Sequence, residues 1–186
     1  MQGIARRFRI FLVPWLIYYR GHPIGCPLFS FNNLTTMTTD FKVAEVQLTY
    51  KNRIPCKDRQ HINDSESAYK IIKALFPDET IDYRESFKAV YMNRSNHVLG
   101  CLTISEGGPC STAVDVKLIL QGALLTNASG VILAHNHPSG NLKPSEPDKV
   151  MTEKIKKALT AMDTRLLDHL IVTRESYFSF TDEGLN

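Results

Sequence analysis

Two histidines and an aspartate lie close together between residues 135 and 148, with the residues around them ordered H-x-H-P-x6-S-x-x-D. The positions are His135, His137, Pro138, Ser145 and Asp148. His135 and His137 follow directly on the apolar run 131–134. Side chains two apart on a strand point to the same side, so both imidazoles can converge on one point. Pro138 cannot donate to a ladder, which predicts that the strand ends there, and Ser139, Gly140 and Asn141 are turn chemistry. Asp148 then arrives in the first turn of the next helix. Two imidazoles and one carboxylate leave the fourth position of a tetrahedral zinc open to water, as catalytic sites do and closed structural sites do not. Nitrogen and carboxylate donors suit Zn2+, and the same ligand types also accept iron or manganese. Each part has a plainer reading. An isolated H-x-H is usually an accident of a strand, and Ser145 with Asp148, with Pro147 beside it, makes a capping box at a helix start. The combination is far more specific than its parts.

His135, His137, Pro138, Ser145 and Asp148 resemble the JAMM motif of the JAB/MPN metallopeptidases. The run His135-Asn136-His137-Pro138-Ser139-Gly140, with Leu167-Asp168-His169-Leu170-Ile171-Val172 further on, is similar to the bacterial RadC branch. The likeness extends from about residue 81 to the C-terminus. Longer RadC proteins carry a helix-hairpin-helix region that residues 1–80 do not resemble. The resemblance implies an α/β fold, a single mixed domain of the JAB/MPN (cytidine deaminase-like) type with a central, mostly antiparallel sheet flanked by helices. It also implies zinc-dependent hydrolysis of a peptide or isopeptide bond by metal-activated water, often next to a ubiquitin-like modifier, with a glutamate from an earlier strand as general base. By position that glutamate is Glu85, and Glu106, in a Gly-rich loop, is its rival. Ser145 is then expected to stabilise the oxyanion, a contribution of ~3 kcal/mol for one such donor. No feature identifies the peptide or protein substrate. RadC-like proteins also carry an association with DNA repair, so a repair- or mobile-element-associated DNA-binding factor and a metal-free MPN interaction module stand as alternatives. The sequence lacks H-E-x-x-H and P-C-x-x-C, which excludes the zincin and deaminase readings.

Several elements must position these residues. Period-2 alternation over 41–50 predicts a half-buried strand, and Asp64 or Ser65 can cap a short helix through about Phe76, with Ala68, Ile71, Ile72 and Leu75 on one face. The β-rich runs 87–92 and 98–104 predict a hairpin across 93–96, placing Glu85 just before its first strand. A helix from Ser111 or Thr112 to about Thr126 follows, then the buried strand 131–134, a second long helix over about 146–162, and closing strands at 166–172 and 177–180. His169 reads first as a core or edge histidine, and second as a partner of a ligand. Residues 1–36 form an extension outside the fold, 37–80 a strand–helix segment, and 81–186 the RadC-like domain.

Bulk properties agree with one soluble domain. The chain has 186 residues, 43% hydrophobic and 22% charged, with a net charge of +3, too small to imply nucleic acid without a concentrated patch. Lys154, Lys156 and Lys157 cluster late in a helix, where complementing the macrodipole explains them without DNA. Four cysteines without C-x-x-C spacing read as reduced thiols in a cytoplasmic protein, with Cys101 and Cys110 expected to be buried. Arg6, Arg7 and Arg9 before an apolar run resemble a signal peptide. However, the run is too short to span a membrane, Pro14 interrupts it, and Met37 opens an ordinary cytoplasmic start.

Overall fold

The computed structural model of the chain describes residues 49–107 and 114–186. The extension over 1–36, Cys26, Cys110, Ser111 and Thr112 lie outside them, as does all but the end of the strand expected over 41–50. The elements run α1 (Ser65–Lys73), β1 (Ser86–Met92), β2 (Val98–Glu106), α2 (Val116–Thr126), β3 (Gly130–Asn136), α3 (Glu146–Thr160), β4 (Arg165–Val172) and β5 (Tyr177–Ser179). The five strands form one sheet in the order β2-β1-β3-β4-β5. Only the β3–β4 pair is parallel, and the other three pairs are antiparallel. This is the mixed, mostly antiparallel sheet flanked by helices that the sequence implied.

Strand β3 is central and buried at every position, which is why its apolar run does not alternate with polar residues. Val131 and Leu133 face Ile119 and Ala123 of α2 and Ile155 and Leu159 of α3. Ile132 and Ala134 face the other way, into a core with Ala68 and Ile72 of α1 and Phe76. Each large aliphatic side chain so buried contributes roughly 1.5–3 kcal/mol. The same alternation puts His135 on the α3 side of the sheet and Asn136 on the α1 side.

The caps differ in part from expectation. Asp64 accepts the Ser67 N–H at 2.7 Å, and the Ser67 hydroxyl accepts the Asp64 N–H at 3.1 Å, closing a box at the start of α1. That helix ends at Lys73, so Leu75, expected on its buried face, is exposed and Phe76 is buried in its stead. Helix α2 starts at Val116 instead of following Ser111 or Thr112. Its cap is Asp115, whose carboxylate accepts the amides of Lys117 and Leu118. Cys101, expected to be buried, is exposed: it lies on the edge strand β2, while α1 packs against β4. No helix among the described residues is long and apolar enough to cross a membrane.

Candidate metal centre

Strand β3 extends through His135 to Asn136, and the parallel ladder is prolonged by the His137 N–H donating to the Val172 carbonyl at 3.1 Å. Extended backbone over 135–137 therefore sends both imidazoles to the α3 side. The chain then turns, with the Gly140 N–H on the His137 carbonyl at 3.0 Å and Gly140 at φ 74°, a conformation that strains any residue with a Cβ. It returns as α3, capped by Ser145. The Ser145 hydroxyl accepts the Asp148 N–H at 3.3 Å, and the Ser145 N–H donates to Asp148 Oδ2 at 2.8 Å. The Ser145 hydroxyl also donates to that same Oδ2, at 2.5 Å. The capping box is thus present, and it orients Asp148 toward the histidines.

One donor atom from each of His135, His137 and Asp148 falls within 4.8 Å of the other two, so the three could hold a metal ion. His135 Nε2 and His137 Nε2 are 2.9 Å apart, His135 Nε2 lies 3.5 Å from Asp148 Oδ1, and His137 Nε2 lies 3.9 Å from Asp148 Oδ2. Ligands about 2.0 Å from a tetrahedral ion stand about 3.3 Å from one another, and the three distances bracket that value. His135 is buried, while the side chains of His137 and Asp148 keep 19% exposure, leaving one side open to solvent.

The surrounding hydrogen bonds fix which ring nitrogens carry protons. His137 Nδ1 faces the Asn141 carbonyl at 2.5 Å, so that nitrogen carries a proton and Nε2 is the ring nitrogen left to face His135. His135 is set through a longer chain. The Thr152 hydroxyl gives its one proton to the Asp148 carbonyl at 2.6 Å, and must accept from His169 Nδ1, also at 2.6 Å. His169 is fully buried, and burial followed by the neighbouring His135 and His137 pushes its pKa well below the usual histidine value. The neutral ring therefore offers a bare Nε2, which accepts from His135 Nδ1 at 2.8 Å. Both Nε2 atoms and the Asp148 carboxylate thus converge on one place, where a proton or a cation can be shared among them. His135 does not readily supply that charge as a proton. Burial pushes its pKa down to about 4, with Asp148 opposing the shift and His137 reinforcing it.

Residues 62–185 match the family model of the RadC-like JAB domain. The chain belongs to that family. A UPF0758 protein of Flavobacterium johnsoniae is 42% identical over 124 residues, covering 67% of this chain and 53% of its own length. A UPF0758 protein of Porphyromonas gingivalis is 41% identical over 137 residues, 72% of this chain and 59% of its own. The UPF0758 protein YfjY of Escherichia coli is 42% identical over 102 residues, 55% of this chain and 64% of its own. The chain spans about half the length of the first two relatives. The RadC-like match includes α1, which packs on the same sheet as β3.

The two glutamates singled out from the sequence lie at the paired ends of β1 and β2. Phe87 and His135 form the last pair of the β1–β3 ladder, and Glu85 lies two residues before Phe87, just outside β1, so that continued alternation would give it the face of His135. The Glu85 carbonyl accepts the Gly107 N–H at 3.0 Å. Glu106 pairs with Ser86, on the other face, where it lines a cavity with Phe76, Ile81 and Asn136. His169 combines both readings given to it: a core residue stacked on Phe180, and the direct partner of His135. Thr152 was missed altogether. Its one available signal was the spacing Asp148 to Thr152, i to i+4 on a helix, which lets a threonine hydroxyl reach back to the carbonyl.

Proposed function

We propose that this RadC-like JAB domain is a zinc-dependent hydrolase of peptide or isopeptide bonds. The observation that carries the reading is the convergence of both Nε2 atoms and the Asp148 carboxylate on one solvent-accessible point. A zinc ion held there by His135, His137 and Asp148 supplies Lewis acidity toward water and a carbonyl oxygen. Glu85, which continued alternation from Phe87 would put on the face of His135, takes the proton of the attacking water and returns it to the leaving amine. Glu106, on the other face of the sheet, does not serve. Ser145 has two roles in this reading. It orients Asp148, and its hydroxyl proton turns from Oδ2 toward the oxyanion as charge develops there. The exposed, unpaired thiols of Cys56 and Cys101 suit the reducing cytoplasm, where we place the protein.

The test is metal analysis of protein purified without chelator, beside His137→Ala and Asp148→Ala. Stoichiometric zinc in the wild type, lost in both variants, is the expected result, and a metal-free wild type would refute the site. On a fluorogenic peptide or isopeptide library, Glu85→Gln should keep the metal and lose hydrolysis. If Glu106→Gln does so instead, the base assignment is wrong.

A further inference from the structure

Asn136 stands between the two histidines in sequence, but its side chain leaves the opposite face of the sheet. It is fully buried, and every polar atom of its amide is used. Nδ2 donates to the carbonyls of Ile81 at 2.6 Å and Arg84 at 2.8 Å, and Oδ1 accepts the Ser86 N–H at 2.8 Å. All three partners are backbone atoms of the segment leading into β1, and two of them flank Glu85 directly. The remaining link is the Gly107 N–H on the Glu85 carbonyl. The backbone is therefore tied at the carbonyl of residue 84, at the carbonyl of 85 and at the amide of 86. With the backbone held on both sides of Glu85, its side chain is the part left to turn toward the site, and continued alternation from Phe87 would give it the face of His135.

We propose that Asn136 is a positioning residue for Glu85, coupling the placement of the general base to the strand that carries the metal ligands. This rests on the assignment of Glu85 made above. The same strand that fixes His135 and His137 on one face fixes the loop of Glu85 through the other. Any shift of β3 thus carries base and ligands together. An amide meets this demand because two carbonyls and one N–H must be satisfied at once. Aspartate, of the same shape, would set a second acceptor against two carbonyls, and serine cannot supply two donors toward them. Leaving those buried backbone groups unpaired frees the segment, since unsatisfied buried polar groups are costly.

The test uses the full chain loaded with Co2+ and needs no substrate. The visible spectrum of the bound cobalt is followed against pH, alongside hydrogen exchange over 81–86. Removing a carboxylate beside the ion favours loss of a proton there, so Glu85→Gln should lower the spectral midpoint by about one pH unit. Asn136→Ala and Asn136→Asp should keep one cobalt per chain, exchange faster over 81–86, and lower the midpoint in the same direction. The double variant Glu85→Gln/Asn136→Ala should add nothing to Glu85→Gln alone. If Glu85→Gln shifts the midpoint and the Asn136 variants do not, the positioning role is overturned while Glu85 stands. If Glu85→Gln itself shifts nothing, the base assignment fails first. If both Asn136 variants lose cobalt, Asn136 supports the ligands and not the base, which also overturns the proposal.

Discussion

Nδ1 of His135 lies 2.8 Å from Nε2 of His169, and the proton between them belongs to His135. Thr152 determines that assignment from the far side of the His169 ring, because its own proton is committed to the Asp148 carbonyl. The chain of bonds starts at one candidate ligand and ends on the backbone of another. Ring orientation in β3 and the first turn of α3 are thereby linked through a fully buried, neutral histidine. A ligand histidine more often leans on a carboxylate or a backbone carbonyl. A neutral imidazole polarises His135 less than a carboxylate would, and it does so without burying an additional charge.

His169→Phe follows as the most direct test of that link. Phenylalanine keeps the aromatic packing against Phe87 and Phe180 but removes the acceptor for His135 Nδ1–H. Zn2+ affinity, measured by competition with a chromogenic chelator, should fall by about 10–100-fold. Thr152→Val should weaken binding less, since His169 remains in place with one bond lost. Unchanged affinity in His169→Phe would mean that the ring of His135 is held by packing alone.

Much of the fold was legible because β3 and the two long helices are strongly patterned. An unbroken apolar run marks a strand covered on both faces, and apolar positions at helical spacing mark α3. The misplaced boundaries have local causes. Asp115 caps α2 through its side chain, a choice that composition alone could not separate from Ser111 or Thr112. Leu75 fits the helical stripe of α1 but comes after the helix has ended. At the site, the donors are close in sequence and so could be read together. His169 and Asn136 act through contacts with segments far away in the chain, and their partners depend on strand order. Nothing in the sequence near Asp168 announces that β4 lies parallel to β3 with His169 on the face of His135.

The metal-free protein should lose stability as pH falls below the ordinary histidine range. Burial lowers the His135 pKa to about 4 in the folded chain, against the ordinary histidine value of 6.5. Above 6.5 both states are neutral and the native interactions are intact. As pH drops from 6.5 toward 4 the unfolded chain takes up a proton that the folded chain refuses, so stability declines, and the loss is complete below about 4. For His135 it amounts to roughly 3 kcal/mol. His169 acts with the same sign, its pKa also lowered by burial. Asp168 acts oppositely, since burial raises its carboxyl, and it regains stability toward acid. Urea midpoints of chelator-stripped protein at pH 7.5 and 5 should therefore differ, with the lower value at pH 5. Equal midpoints would show that the two neutral rings do not outweigh Asp168 over this range.

Asp148 belongs to both the capping box and the candidate metal site, and two substitutions can separate the roles. In Asp148→Asn the amide oxygen can still accept from Ser145, while the charge that draws a cation is gone. Asp148→Ala loses both. Each variant should fail to hold Zn2+. The metal-free Asp148→Ala protein should also be less stable than metal-free Asp148→Asn by about 1 kcal/mol, the usual worth of a cap. The comparison requires equal metal-free conditions, because bound metal adds its own stabilisation by mass action. Thermal or urea unfolding of the two apo variants gives the difference. If they unfold together, the carboxylate's bonds to Ser145 contribute nothing to the helix.

Gly122 gives the last prediction, because helix propensity and packing disagree about it. It sits inside α2, where alanine ordinarily stabilises a helix by about 1 kcal/mol over glycine. Here a Cβ would come within 2.1 Å of Tyr91 Oη and 2.3 Å of the ring carbon Cζ. Tyr91 cannot swing away. It is buried in the core on β1, and its hydroxyl donates to the Ile119 carbonyl at 3.2 Å. Forcing extra volume into such a site costs about 1–3 kcal/mol, so Gly122→Ala should be net destabilising, read as a lower urea midpoint. Tyr91→Phe in the same chain should recover only part of the loss, since the ring carbon still stands too close. Because Tyr91 lies on the strand that Glu85 leads into, the displaced ring should also speed hydrogen exchange along β1. A Gly122→Ala protein as stable as the wild type would mean that α2 can move off the sheet at little cost.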